Sequence, residues 1–432
     1  MFRTLSNILK VTDLRNRILF TLGLLIVFRI GAFIPVPNID REVLKTLDQQ
    51  LHADIFGLLN TFSGGALFNF SIFAMSIYPY VTASIIVQLL SMDVIPKFAE
   101  WAKEGEIGRR KLAQFTRYGT VLFGLIQAIG MSIGFNRLVP GIIDNPGFGT
   151  YALIAITLTA GTAFLMWLGE QITDKGVGNG ISVVIFAGIV AGIPSGIQQL
   201  YLALFSDRSA IFFSILKVLL LVVAVVVLVV GVIYVQQAVR KIPVQYTKRV
   251  VGRRMYGGQS THIPLRVNAA GVIPIIFALS LIMLPYTIAS FWSSHPVAKW
   301  IMNELFYTAP IGMVLYVFLI IAFTYFYTFV QINPQQLSDQ MKKNGGYIPG
   351  IRPGKATEIY LTRVMSRITL FGALFLAFIS VLPVFFTNVG GLPRSISIGG
   401  TSLLIVVGVA LETMKQIESQ LIRRHYKGFI NR

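Results

Sequence analysis

Residues 211–236 read IFFSILKVLLLVVAVVVLVVGVIYVQ, and residues 237–267 read QAVRKIPVQYTKRVVGRRMYGGQSTHIPLRV. The first stretch carries one charge, Lys217, whereas the second carries seven basic residues and no acidic one. A helix needs about 20 mostly apolar residues to cross the hydrocarbon core, so the first stretch is predicted to span a membrane. The abrupt turn to positive charge marks the side on which the chain emerges, because Lys and Arg are kept in cytoplasmic loops.

Outward from this pair the same grammar repeats along all 432 residues. Apolar runs of bilayer length lie near 18–37, 70–90, 118–138, 150–169, 180–202, 211–236, 268–292, 310–330, 368–387 and 400–414. The chain is 54% hydrophobic and 13% charged, with mean hydropathy +0.70, against roughly a quarter charged in soluble domains. Long continuous runs exclude barrel strands, which alternate over short segments, and lipid admits only helices or closed barrels. The fold class is therefore predicted as an all-α membrane protein with ten transmembrane helices.

Of the 37 Lys and Arg, 29 fall in every second gap between the runs. The opposite gaps hold only Arg41, Lys45, Arg137, Arg208, Lys299 and Arg394, while Arg29 and Lys217 lie within or at the edges of spans. Both termini are thus expected to be cytoplasmic. The net charge of +19 is explained first by topology and by attraction to anionic phospholipids. Residues 237–267 carry more charge than orienting two helices requires, so an acidic partner is expected to dock there. Met1 to Pro37 has the basic and apolar parts of a signal peptide, but no small-x-small cleavage pattern follows; it is expected to remain as the first span.

Several chemistries are absent from the sequence. There is no cysteine, and His52, His262, His295 and His425 are scattered without metal-ligand spacing. No metal and no cofactor are predicted. No Asp or Glu lies deep in a run, Glu170 and Glu412 being at the ends. Ion-coupled transporters and intramembrane enzymes need ionisable groups at depth, so these competing classes, including a small-solute transporter with broken helices, are disfavoured. The polar residues at depth, Gln88, Gln127 and Asn268, are neutral amides that join helices by hydrogen bonds, either as plain packing or as a functional seam.

Four segments interrupt the pattern. Residues 57–71, GLLNTFSGGALFNFS, are apolar yet broken by Gly64 and Gly65; they read as a short re-entrant or capping helix over a cavity on the non-cytoplasmic side, or as an interfacial segment. Residues 176–192 place Gly188 and Gly192 four apart, a spacing that lets helices approach closely. VQYTKRVVGRRMYGGQ (244–259) alternates and turns at Gly252, predicting a basic hairpin standing off the membrane with Arg253 and Arg254 near its tip. NGGYIPGIRPG (344–354) predicts a turn-rich loop presenting Arg352.

Seven motifs carry a resemblance: FRIGAFIP (28–35), IYPY with ASII (77–80 and 83–86), GNGIS (178–182), QSTHIPL (259–265), NAAGVIP (268–274), PGIRPG (349–354) and GGTSLLI (399–405). In this order they make the chain resemble the SecY family, the channel subunits of the bacterial protein-export translocon, almost end to end. The resemblance implies two inverted pseudo-symmetric halves, residues 1–202 and 203–432, each of five spans, around an hourglass pore. It implies a pore ring of Val81, Ile85, Ile185, Ile189, Ile276 and Ile405, and a plug containing Asn60, Thr61, Phe62, Ser63, Gly64, Gly65, Ala66 and Leu67. A lateral gate would lie between spans two and three on one side and seven and eight on the other, with Gln88, Gln127 and Asn268 across it.

The loops 237–267 and 331–367 would dock the SecA motor and the ribosome through Arg253, Arg254 and Arg352. SecE and SecG would be companion subunits, unfolded preproteins with signal sequences the substrates, and the bacterial plasma membrane the location. The chain would be a conduit and not an enzyme. Spacing is compatible with the ring: Val81 with Ile85, and Ile185 with Ile189, are four apart and share a helix face.

Overall fold

The computed structural model describes residues 11–40, 60–92, 95–138, 141–205, 211–246, 249–251, 254–256, 260–290, 292, 295–306, 309–390 and 400–430. In chain order the helices are α1 (Thr12–Gly31), α2 (Tyr78–Leu90), α3 (Pro96–Lys103), α4 (Glu106–Leu138), α5 (Phe148–Lys175), α6 (Gly180–Phe205), α7 (Ile211–Gln237), α8 (Ile273–Ser290), α9 (Pro296–Glu304), α10 (Pro310–Gln331), α11 (Pro334–Lys343), α12 (Lys355–Gly390) and α13 (Gly400–Ile430). The strands are β1 (Val239–Tyr246), β2 (Arg249–Val251), β3 (Arg254–Tyr256), β4 (Ser260–Arg266) and β5 (Gly346–Tyr347).

Every predicted apolar run holds a helix. Among the described residues, α4, α5, α6, α7, α10 and α12 contain segments long and apolar enough to cross a membrane, and α2 and α8 are shorter apolar helices. On α7, Phe213, Leu216, Leu220, Val223, Val227 and Val230 are all exposed. An apolar surface of that extent does not face water in a soluble monomer; in a multi-pass membrane protein it faces acyl chains.

Run 70–90 is a correction. Helix α2 begins only at Tyr78, with Pro79 in its first turn, where the missing amide of proline costs nothing. Residues 64–77 instead pass through successive turns, and Phe70 (φ 41) and Ser76 (φ 50) adopt the left-handed region that side chains rarely occupy. Their apolarity reflects burial in protein, not in lipid: Phe70 is fully buried and Phe73, Ala74 and Ile77 nearly so.

The helices touch across two seams. On one, α8 packs against α2 and α4; on the other, α6 packs against α13 and α7. Between them lies one continuous apolar cluster drawing residues from α1, α2, α5, α6, α7, α8, α10, α12 and α13. A second cluster, around Leu67, Phe70, Phe135, Ile142 and Leu158, ties residues 67–75 to α4 and α5.

The predicted hairpin forms. Strand β1 pairs antiparallel with β4 from Val239↔Arg266 to Gln245↔Ser260, and β2 pairs with β3. Gly252 and Arg253, predicted at its tip, lie outside the described residues. Strand β5 joins the other edge of β1, where the Tyr347 hydroxyl donates to Gln245 Oε1 at 3.0 Å. The inward face, Ile242, Val244 and Leu265, packs on Met341, Ile348, Leu361 and Met365. The two basic loops are thus one unit with a small core of its own. Helix α11 starts where Asn333 Oδ1 accepts from the amides of Gln335 and Gln336 at 3.0 and 3.3 Å, an N-cap preceding Pro334.

Candidate functional site

The six ring candidates come from α2, α6, α8 and α13. All are buried, with Ile405 fully inaccessible and Ile276, the most open, at 8%. They share the central cluster with Phe62 and Ala66. A small cavity lies against this group, lined by Phe62, Ser76, Ile77, Tyr78, Val81, Ile185, Ile276 and Leu279. Val81, Ile185 and Ile276 line it, while Ile85, Ile189 and Ile405 contribute to the packing beyond. An all-aliphatic constriction dewets and blocks ions, yet its flexible side chains bind no sequence specifically.

Of residues 60–71, Phe62 lines this cavity. Residues 57–59, the start of the predicted segment, lie outside the described residues. Positions 60–63 are helical, and Gly64 (φ 68) and Gly65 (φ 89) then reverse the chain in a conformation suited to glycine. The carbonyl of Asn60 accepts from Gly65 N at 2.9 Å and its Oδ1 from Phe68 N at 2.9 Å. Ser63 Oγ accepts from Leu67 N at 3.2 Å, and Ser71 N donates to Ala66 O at 2.9 Å. The segment therefore satisfies much of its backbone locally, as irregular chain at membrane depth must. Pairing of Pro35 with Ser71 anchors its end to the residues after α1.

Phe62 is 3% exposed, Ser63, Ala66 and Leu67 are fully buried, and the Phe62 ring meets Tyr78 edge-on at 6.2 Å. Thr61 is half-buried. Burying one large apolar side chain stabilises by about 1.5–3 kcal/mol, so Phe62 and Leu67 together seat the segment by roughly 3–6 kcal/mol.

Two glycines make room for the segment and for the residue that follows it. A Cβ on Gly188 of α6 would stand 2.2 Å from the Phe62 carbonyl oxygen, and one on Gly161 of α5 would stand 1.9 Å from that of Ile72. The Gly188–Gly192 spacing thus serves a different purpose from the predicted helix approach: Gly188 receives the backbone of residues 62–64, whereas a Cβ on Gly192 meets nothing within 4 Å. The sequence reading did not single out Gly161 or Leu279, quoted Ile77 only within the motif IYPY, and gave Arg29 no role beyond a charge inside a span and a place in the motif FRIGAFIP. Arg29 is half-buried, donates from Nη1 to the Gly64 carbonyl, and lies over the Phe33 ring at 4.6 Å. Its position as the charge within an apolar run was the available signal.

The candidate amides Gln88 and Asn268 are bonded locally. Gln88 Nε2 donates to Ser84 Oγ at 3.3 Å on its own helix, and Asn268 Nδ2 to Gly271 O at 3.0 Å. Gln88 Oε1 and Asn268 Oδ1 are buried with no hydrogen-bond partner among the described residues. Gln127, on α4, is half-buried. Nearby, Arg117 of α4 forms a bidentate pair with Glu170 of α5, at 3.0 and 2.9 Å, joining these helices to each other.

On the sheet-bearing end, Arg352 is exposed in the 349–354 loop, which is braced by Thr357 Oγ1 donating to Arg352 O and Ser338 Oγ donating to Gly354 O, at 2.9 and 2.8 Å. Arg253 lies outside the described residues, and Arg254 falls in β3. Among the described residues no cluster of three or more His, Cys, Asp or Glu could hold a metal.

Apolar helices of membrane-spanning length, gathered round one aliphatic cluster with the irregular segment 60–71 buried against it, define a multi-pass helical membrane protein. The same fold is present in a solved protein-conducting channel that is 18% identical, with TM-score 0.60 over 94% of this chain and 92% of that one. It is present also in the yeast Ssh1 complex bound to the 80S ribosome, 15% identical, with TM-score 0.59 over 91% and 87%. Residues 71–414 match the SecY family model. The protein translocase subunit SecY of Halalkalibacterium halodurans is 65% identical over 432 residues, and that of Bacillus subtilis 60%, each covering the whole of both chains. The chain belongs to the SecY family.

Proposed function

We propose that the chain is the central channel subunit of a Sec protein translocase, passing unfolded secretory proteins across the bacterial plasma membrane and releasing transmembrane segments sideways into lipid. The observation that carries this reading is the convergence of Val81, Ile185 and Ile276 with Phe62 on one cavity: a constriction assembled from α2, α6 and α8 and covered by its own chain. Ten crossings in two halves, 1–202 and 203–432, with both termini cytoplasmic, are supported by the helix found in each of the ten apolar runs and by the distribution of charge.

In this reading residues 60–71 seal the resting pore, the seam of α8 against α2 and α4 is the lateral gate, and the α6–α13 side is the hinge. The sheet with the 349–354 loop faces the cytoplasm and offers Arg254, Arg352 and the neighbouring Arg253 to an acidic partner, either the SecA motor or ribosomal RNA. Ribosome binding in the Ssh1 complex supports the second. SecE and SecG bind the outer helices, and anionic phospholipids the basic loop ends. Chemical energy comes from the motor or the ribosome.

Reconstituted with its companion subunits and a motor ATPase in proteoliposomes, the chain is expected to bring an unfolded precursor into a protease-protected lumen. Arg352→Glu, which reverses an exposed charge, is expected to cut that protection at least tenfold at equal reconstituted amounts. Protection no greater than in liposomes without the chain would overturn the function; full protection with Arg352→Glu would overturn the docking role alone.

A further inference from the structure

Arg29 lies in the last turn of α1, inside the apolar run 18–37, where a guanidinium is costly unless its donors are used. Its Nη1 donates to the carbonyl of Gly64. Gly64 holds φ at 68, a conformation suited to glycine, and lies against Gly188, where even a Cβ on Gly64 would come within 3.1 Å of the Gly188 Cα. The segment 60–71 is therefore pressed on α6 from one side and held by a charged donor of α1 from the other. The apolar contacts of Phe62 and Leu67 are non-directional and tolerate sliding; the hydrogen bond from Arg29 fixes one atom. A charge-assisted bond in a water-poor site is among the stronger contacts available to a backbone carbonyl, and it is lost as soon as the segment moves.

We propose that Arg29 is the positioning residue of the seal, tethering residues 60–71 in the closed pore through the Gly64 carbonyl. The proposal rests on the reading of that segment as the resting seal. Its ammonium analogue, Lys, retains a charged donor, whereas Met keeps the length and apolar stem without any donor, so the two substitutions separate tethering from packing.

The chain has no cysteine, so Ser63→Cys, nearly isosteric at a fully buried position, provides a single reporter thiol. In the assembled complex its labelling by a charged maleimide added from the non-cytoplasmic side is expected to be slow. With Arg29→Met labelling is expected to accelerate at least tenfold, and with Arg29→Lys to return most of the way to the parent rate. Arg29→Gln, which preserves a neutral donor, is expected to fall between and serves if the Met variant does not assemble.

Labelling of Arg29→Met or Arg29→Gln at the parent rate overturns the tether. So does acceleration that Arg29→Lys fails to reverse, since that is the pattern of general loosening. Conductance recorded on the same preparations separates the two readings: faster labelling with no added ion flow supports the tether and removes the sealing role of the segment, whereas flow on deletion of residues 60–67 with unchanged labelling supports the seal and overturns the tether.

Discussion

Deleting residues 60–67 is expected to convert a silent complex into one with frequent, large ion-conducting openings in a planar bilayer. The deletion removes Phe62, Ser63, Ala66 and Leu67, each buried, and takes the Phe62 ring out of the lining of the cavity. The roughly 3–6 kcal/mol assigned to burying Phe62 and Leu67 is the free energy favouring the seated over the displaced segment. At 1.4 kcal/mol per factor of ten, its loss raises the unsealed population by on the order of a hundredfold or more. Openings are expected to flicker, because the aliphatic ring still closes and dewets between them. Equal silence of the intact and deleted complexes would show that the ring alone seals the pore.

The second large effect is expected at the seam. In the arrangement described here Gln88 Oε1 and Asn268 Oδ1 are buried without a partner, and such an acceptor costs about 1–3 kcal/mol. Replacing both amides, Gln88→Leu with Asn268→Leu, removes two orphan acceptors and fills the seam with apolar volume. It forfeits the bonds to Ser84 and Gly271, each worth about 1 kcal/mol. Removing the two orphans recovers about 2–6 kcal/mol against about 2 forfeited, so at the middle of that range the balance favours the closed seam by about 2 kcal/mol, on the order of 30-fold. Export of precursors with weakly apolar signal sequences is expected to fall by about that factor, while strongly apolar signals are less affected. Unchanged stringency, or relaxed stringency, in an export assay would contradict the placement of the gate.

Hydropathy and charge read the architecture well because the bilayer enforces both. The α7 run and the basic stretch after it state a span and a side almost without ambiguity, and β1 announces itself by the alternation of Ile242 and Val244 with exposed neighbours. The start of α2 was illegible for a physical reason: Phe70, Phe73, Met75 and Ile77 are as apolar as a lipid-facing helix, but they are buried by protein in a chain of turns. Composition reports dryness, not what supplies it.

The ring shows the same limit. Four-residue spacing placed Ile185 and Ile189 on one face, yet nothing in the residues themselves distinguishes Ile405 from the aliphatics around it; the family resemblance named it. Gly188 was legible as a site of close approach, but its partner, the Phe62 backbone, is remote in sequence. Arg29 was visible as a charge out of place, and only the fold supplies the carbonyl that explains it.

The central claim is that polypeptide passes through the cage past Val81, Ile185 and Ile276. A photoreactive side chain placed at position 185 or 276, with position 226 on the exposed face of α7 as the control, tests it on a secretory chain arrested midway through export. Cross-links to the arrested chain at 185 and 276 and none at 226 are predicted. Equal yield at 226, or none at either cavity position, would contradict passage through this pore.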